Sequence, residues 1–158
     1  MVVISDTTCL TNFYAVGLLH LLPELYSQVF IPRAVWLELQ VIPEQAKKLE
    51  NETWLVIDDR SLNLQAVLTI DPQLHKGECE ALSLSIAVGA DLCVLDELAG
   101  RYVANKLNVP VIGMLGILLV AKRKGLVPAI KPLLNDLSEN GFYMNDSLVK
   151  RVLRAADE

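Results

Sequence analysis

Five short apolar runs, at 2–5, 28–31, 54–57, 92–95 and 109–112, punctuate this chain. Each is too short for a helix and predicts a strand, the first of them, 2–5, buried on both sides. Between them lie segments with helical spacing of apolar positions. The pattern predicts helices over 9–16, 18–26, 43–51, 61–68, 77–88, 97–107, 115–124, 128–139 and 147–156. A further helix opens at Pro32, where a missing N–H costs little, and carries Glu38. Thr7 or Thr8 supplies a cap for the first helix, and Asn145 or Asp146 for the last. Gly17, Gly89, Gly125 and Gly141 stop helices. Residues 58–76 carry the weakest pattern, and Asp71-Pro72 marks a turn there.

Strands alternating with helices predict an α/β fold. It is a three-layer α/β/α arrangement with a central parallel sheet of four to five strands, in one domain spanning 1–158. A doubly wound strand order of 3-2-1-4-5 sets strands one and four side by side at the switch point. Asp6 and Asp96, which end those strands, then emerge about 4.8 Å apart, one strand spacing. Asp58 and Asp59 end strand three, about 10 Å from Asp6 in that order, and stay outside the site.

Bulk properties narrow the classes. Hydrophobic residues make up 53% of the 158, which excludes a disordered chain. A net charge of −5 argues against a general electrostatic grip on nucleic acid. Cys9, Cys79 and Cys93 form no zinc spacing and read as buried reduced thiols. The longest apolar stretch, 109–121, is too short to span a bilayer and is broken by Pro110, Gly113 and Gly116. No signal-like N-terminus is present, and the expectation is a cytoplasmic protein.

The chemistry-bearing residues are acids at element ends. Asp6 follows the first strand; Glu38 lies in the helix after the second. Glu78 opens a long helix, with Glu80 two residues on, and Asp96 and Glu97 follow strand four. Each has a plain local role as a helix cap, a first-turn charge or a solvated side chain. Together at strand carboxyl ends they make an oxygen-rich site of the kind Mg²⁺ and Mn²⁺ prefer. A cation there offsets carboxylate repulsion and can polarise a phosphoryl oxygen. His20 lies in an apolar helix and His75 in a loop; neither reads as catalytic. No Ser-His-Asp order, nucleophile elbow or Walker loop is present. Lys122-Arg123-Lys124 reads as a solvated helix end.

These pieces resemble the PIN domain, a family of metal-dependent ribonucleases, and within it a prokaryotic branch related to toxins. The matching segments are Ser5-Asp6-Thr7-Thr8, Ile31-Pro32-x-Ala34-Val35-x-x-Glu38-Leu39 and Gly77-Glu78-x-Glu80-Ala81. Ala90-Asp91-Leu92-x-Val94-Leu95-Asp96-Glu97 and Val111-Ile112-Gly113-x-Leu115-Gly116 complete the ordered set. The resemblance implies an acidic quartet of Asp6, Glu38, Glu78 and Asp96 holding Mg²⁺ or Mn²⁺, with Thr7 or Thr8 as a supporting hydroxyl. It also implies RNA as substrate, a homodimer and, for toxin members, a small antitoxin partner. The branch commonly has paired aspartates where this chain has Asp96-Glu97, so both are ligand candidates, as are Glu78 and Glu80. The alternatives are a PIN-like binding or assembly module without turnover and, third, a phospho-acceptor domain.

Overall fold

Val3 and Ile4 are neighbours in the chain but belong to different cores, because successive strand residues face opposite sides of a sheet. The computed structural model describes residues 1–158. Its strands are β1 (Val3–Ser5), β2 (Val29–Pro32), β3 (Leu55–Asp58), β4 (Leu92–Val94) and β5 (Val111–Ile112). They form one parallel sheet in the doubly wound order β3-β2-β1-β4-β5, which the sequence alone does not fix. Ten helices accompany it: α1 (Thr7–Ala15), α2 (Leu21–Tyr26), α3 (Arg33–Leu39), α4 (Pro43–Glu50), α5 (Gln65–Ile70), α6 (Lys76–Val88), α7 (Leu98–Lys106), α8 (Met114–Arg123), α9 (Lys131–Glu139) and α10 (Asp146–Ala155).

One sheet face presents Val3, Val29, Ile31 and Val94 to a core that includes Phe13, Leu21, Ile117 and Leu134, from α1, α2, α8 and α9. The other presents Ile4, Cys93 and Leu95 to Leu82, Leu84 and Val103, from α6 and α7. With helices on both faces the architecture is three-layer α/β/α. The pairing of Ser5 with Val94 fixes the exit of β1 beside that of β4. A bond from Asp6 N to Val94 O (3.2 Å) continues that pairing one residue further.

Several boundaries differ from expectation, each for a local reason. Asp6 itself caps α1, accepting from Cys9 N at 3.0 Å, and Thr7 is already helical. Pro32 does not open α3; the ladder to Asp58 holds it extended as the last residue of β2. Residues 61–64 are irregular and α5 starts at Gln65, whose N–H bonds the Asn63 side chain (3.0 Å), a local bond that competes with helix. The helix expected from residue 128 begins at Lys131. There Glu158 accepts from Ile130 N (2.7 Å) and Lys131 N (3.1 Å), a tertiary contact invisible in the local pattern. The apolar stretch 10–22 is largely core: Leu10, Leu18, Leu19, Leu21 and Leu22 are buried.

Glu158 also accepts from Lys122 Nζ (2.8 Å), so one carboxylate ties the chain end to α8 and to the start of α9. Lys122 and the two backbone N–H groups hold it well below its ordinary 4.5, at about 2. Its contribution to stability is therefore full above about 4.5 and lost as pH falls towards 2. Glu158→Gln should lower the melting temperature at pH 7, and the gap to wild type should close as pH falls through that window in thermal melts.

Candidate active site

The acids arrive from four different segments that the sheet order brings to one edge. Asp6 leaves β1, Glu38 projects from α3, Glu78 lies in the first turn of α6, and Asp96-Glu97 joins β4 to α7. Asp6, Thr7, Thr8, Glu38, Glu78 and Glu97 line one cavity of about 300 Å³ with no hydrophobic side chain in its wall. His75 is in a loop, as expected, and lines the cavity from the position just before α6.

Hydrogen bonds fix most of these carboxylates. Glu38 accepts from the Thr7 hydroxyl through one oxygen and from Gly77 N (2.9 Å) through the other, which locks it between α1 and α6. Asp96 accepts from Met114 N at 3.1 and 3.2 Å, at the positive end of α8. Cys9 joins Asp96 to Asp6: its N–H bonds Asp6 Oδ1, and its thiol donates to Asp96 Oδ2 at 3.1 Å. Burial and the two aspartates hold that thiol well above its ordinary value, so it stays a donor.

Two oxygens have no partner. Asp6 is 1% exposed and Glu78 6%, yet Asp6 Oδ2 and Glu78 Oε1 are buried without a hydrogen bond. Burial, opposed by the Cys9 hydrogen bonds and reinforced by the charges of Asp96 and Glu78, lifts Asp6 from 3.8 to about 7. Burial first, then the charge of Glu97, raises Glu78 as well. No three of the chain's His, Cys, Asp or Glu side chains are gathered tightly enough to hold one ion by themselves.

Three glycines leave room for three of the acids. A Cβ on Gly77 would run into the Glu38 carboxylate, one on Gly100 would lie 2.6 Å from Glu78 Oε1, and one on Gly113 would strike Asp96 Oδ1. Gly100, in the first turn of α7, was overlooked in the sequence; a glycine inside a helical pattern is itself a signal of a packing reason. Cys9 left no such signal, since its pattern is that of an ordinary core thiol.

The remaining candidates separate. Glu80 lies outside the cavity; its Oε2 accepts from Ala34 N (2.9 Å) and so anchors α3, which carries Glu38. Glu97 is exposed at the cavity wall, whereas Asp96 is half-buried and fully hydrogen-bonded beside it. Asp58 pairs with Arg60 (2.8 Å) and Asp59 with Arg33 (3.3 Å), apart from the cavity. Lys122 is engaged by Glu158. His20 is exposed ahead of α2.

The chain is thus a parallel three-layer α/β/α protein with an acidic site at the switch point of its sheet. The chain belongs to the PIN-domain family, whose profile matches residues 2–158. Proteins of this family are generally nucleases and typically use divalent metals. Among curated proteins none matches the chain. No helix is long and apolar enough to cross a membrane.

The raised Asp6 value sets a pH dependence. The folded chain holds this proton more tightly than the unfolded one, so stability is full below 3.8 and falls as pH climbs to about 7. The loss without a cation is on the order of 4 kcal/mol. Asp6→Asn keeps an oxygen to cap α1 and removes the charge. In a chelator at pH 8 it should melt above wild type, with the difference vanishing near pH 4. Equal melting at pH 8 would mean that the charge is relieved some other way.

Proposed function

We propose that the chain is a Mg²⁺- or Mn²⁺-dependent endoribonuclease that hydrolyses RNA phosphodiester bonds, with Asp6, Glu38, Glu78 and Asp96 as its acid set. The observation that carries this reading is the pair of buried, unpartnered oxygens on Asp6 and Glu78, two residues that line a wholly polar cavity. Burying a carboxylate oxygen with nothing to bond it is costly. A hard cation satisfies such oxygens, and the available donors are nearly all oxygen. Mg²⁺ keeps several waters, so donors spaced too widely to close on an ion unaided still fit.

A bound divalent cation supplies charge neutralisation, polarises a phosphoryl oxygen and makes a water more acidic. The chain's own groups do the rest. Asp6 and Glu78 present the free oxygens. Glu97, after β4, lines the same cavity, and Asp96 beside it lines the adjoining groove. Glu38, fixed by Thr7 and Gly77, points a carboxylate of set orientation at the cavity and accepts a proton or holds a water there. Thr8 supplies a second hydroxyl in the wall. Glu80 supports from behind by holding α3.

The proposal extends to a homodimer and to a toxin held by a small antitoxin, both carried by the family resemblance. Size-exclusion with light scattering tests the first. A small DNA-binding protein encoded next to this chain, and binding to it, tests the second. A binding module without turnover is the second reading, favoured by the −5 net charge and the open spacing of the acids.

The deciding experiment is cleavage of a structured-RNA pool with Mn²⁺ or with EDTA. Wild type should cleave only with metal. Asp6→Asn should lose at least about 100-fold in rate, beyond what losing an outer partner of a metal site typically costs. Metal-independent cleavage, or equal cleavage by both proteins, would contradict the reading. Binding of Mn²⁺ and RNA with no cleavage would favour the module. Gly100→Ala, whose Cβ pushes on Glu78, should lower the rate about 10- to 100-fold while the melting curve moves little.

A further inference from the structure

Cys9 is wholly buried in the first turn of α1 and belongs to the larger apolar core, yet both of its donors go to carboxylates. Its N–H bonds Asp6 Oδ1 at 3.0 Å, and its thiol donates to Asp96 Oδ2 at 3.1 Å. The two bonds differ in origin. Any residue except proline supplies the first, from its backbone; only the side chain supplies the second. Asp96 has one other anchor, Met114 N at the start of α8, which its two oxygens share (3.1 and 3.2 Å). That bond ties Asp96 to the groove beside α8, which Gly113, Leu115 and Asp96 itself line. The thiol ties it to the turn that holds Asp6. A carboxylate sharing one N–H between both oxygens can still rock about that bond. A second donor, on one oxygen alone, fixes its plane.

We infer that Cys9 is a positioning residue of the cation site: its thiol orients the Asp96 carboxylate against Asp6 and so raises the affinity for a divalent cation. The inference rests on the metal-site part of the nuclease reading and not on turnover. A core thiol ordinarily behaves as a small apolar group. This one instead joins the acids that leave the adjacent strands β1 and β4. Its backbone takes Asp6 Oδ1, while Asp6 Oδ2 stays buried with no partner in the protein, an oxygen that a hard cation satisfies. Outer partners of ligating groups orient them in this manner, and losing one typically lowers metal affinity by about 10- to 100-fold.

The test is cation binding by the full chain, with Mn²⁺ as the probe in calorimetry and melting curves recorded in EDTA. Cys9→Ala removes the donor and leaves a gap. Cys9→Val removes the donor and fills the space. Cys9→Ser keeps a donor, on a shorter bond than the thiol's. The alanine and valine variants should each bind Mn²⁺ at least about 10-fold more weakly than wild type. The serine variant should bind at least about threefold more tightly than the alanine one. A role in packing alone would rank them differently, with valine beside wild type and serine beside alanine, as the melting curves report packing. Affinities in that second order would overturn the proposal, as would wild-type affinity in Cys9→Ala. If wild type binds no Mn²⁺, the inference and the nuclease reading fall together. If wild type cleaves RNA with Mn²⁺ and Cys9→Ala binds the ion equally well, the inference fails and the nuclease stands. If the donor order holds but wild type never cleaves, the inference stands and the nuclease fails.

Discussion

The structure turns on keeping like charges close together inside a protein. Asp6 is buried at the exit of β1, with Asp96 emerging from the adjacent strand and Glu78 entering from α6. Neither burial nor neighbours favours its ionised form, and the Cys9 hydrogen bonds only partly offset them. Left alone, such a carboxyl gives up its charge. The rest of the local architecture makes sense as a means of holding it in place regardless.

That holding is done by the fold's own parts. Glu38 is gripped from α1 and α6, and Asp96 from the start of α8. Cys9 belongs to the larger core and yet bonds both aspartates, so the packing under α1 also sets the spacing of the acids. Gly77, Gly100 and Gly113 withhold side chains where three carboxylates need space. Only Asp6 Oδ2 and Glu78 Oε1 among the cavity's acid oxygens are buried and left without a bond, and both belong to residues facing the same cavity.

Much of this was legible in the sequence. Short apolar runs marked the five strands, although β3 and β5 at the sheet edges are only half-buried, and a doubly wound order, where it is assumed, sets Asp6 next to Asp96 and keeps Asp58 and Asp59 away. What escaped was tertiary. Spacing to Gly89 favours Glu78 over Glu80, but only the packing of α6 on α3 sends the second one to Ala34 N. Likewise, the start of α9 depends on a carboxylate at Glu158, far along the chain. His75 read as a loop residue because nothing local signals the cavity beyond it. The 10–22 stretch is apolar, and an apolar pattern alone does not say whether the fold or a partner buries it.

The most direct test is anomalous diffraction at the manganese edge from crystals grown with Mn²⁺. The account predicts a peak in the acidic cavity within ligation distance of Asp6 Oδ2 and Glu78 Oε1, and its loss in Asp6→Asn. An empty cavity at saturating Mn²⁺, or a peak confined to surface carboxylates such as Asp59, would contradict it.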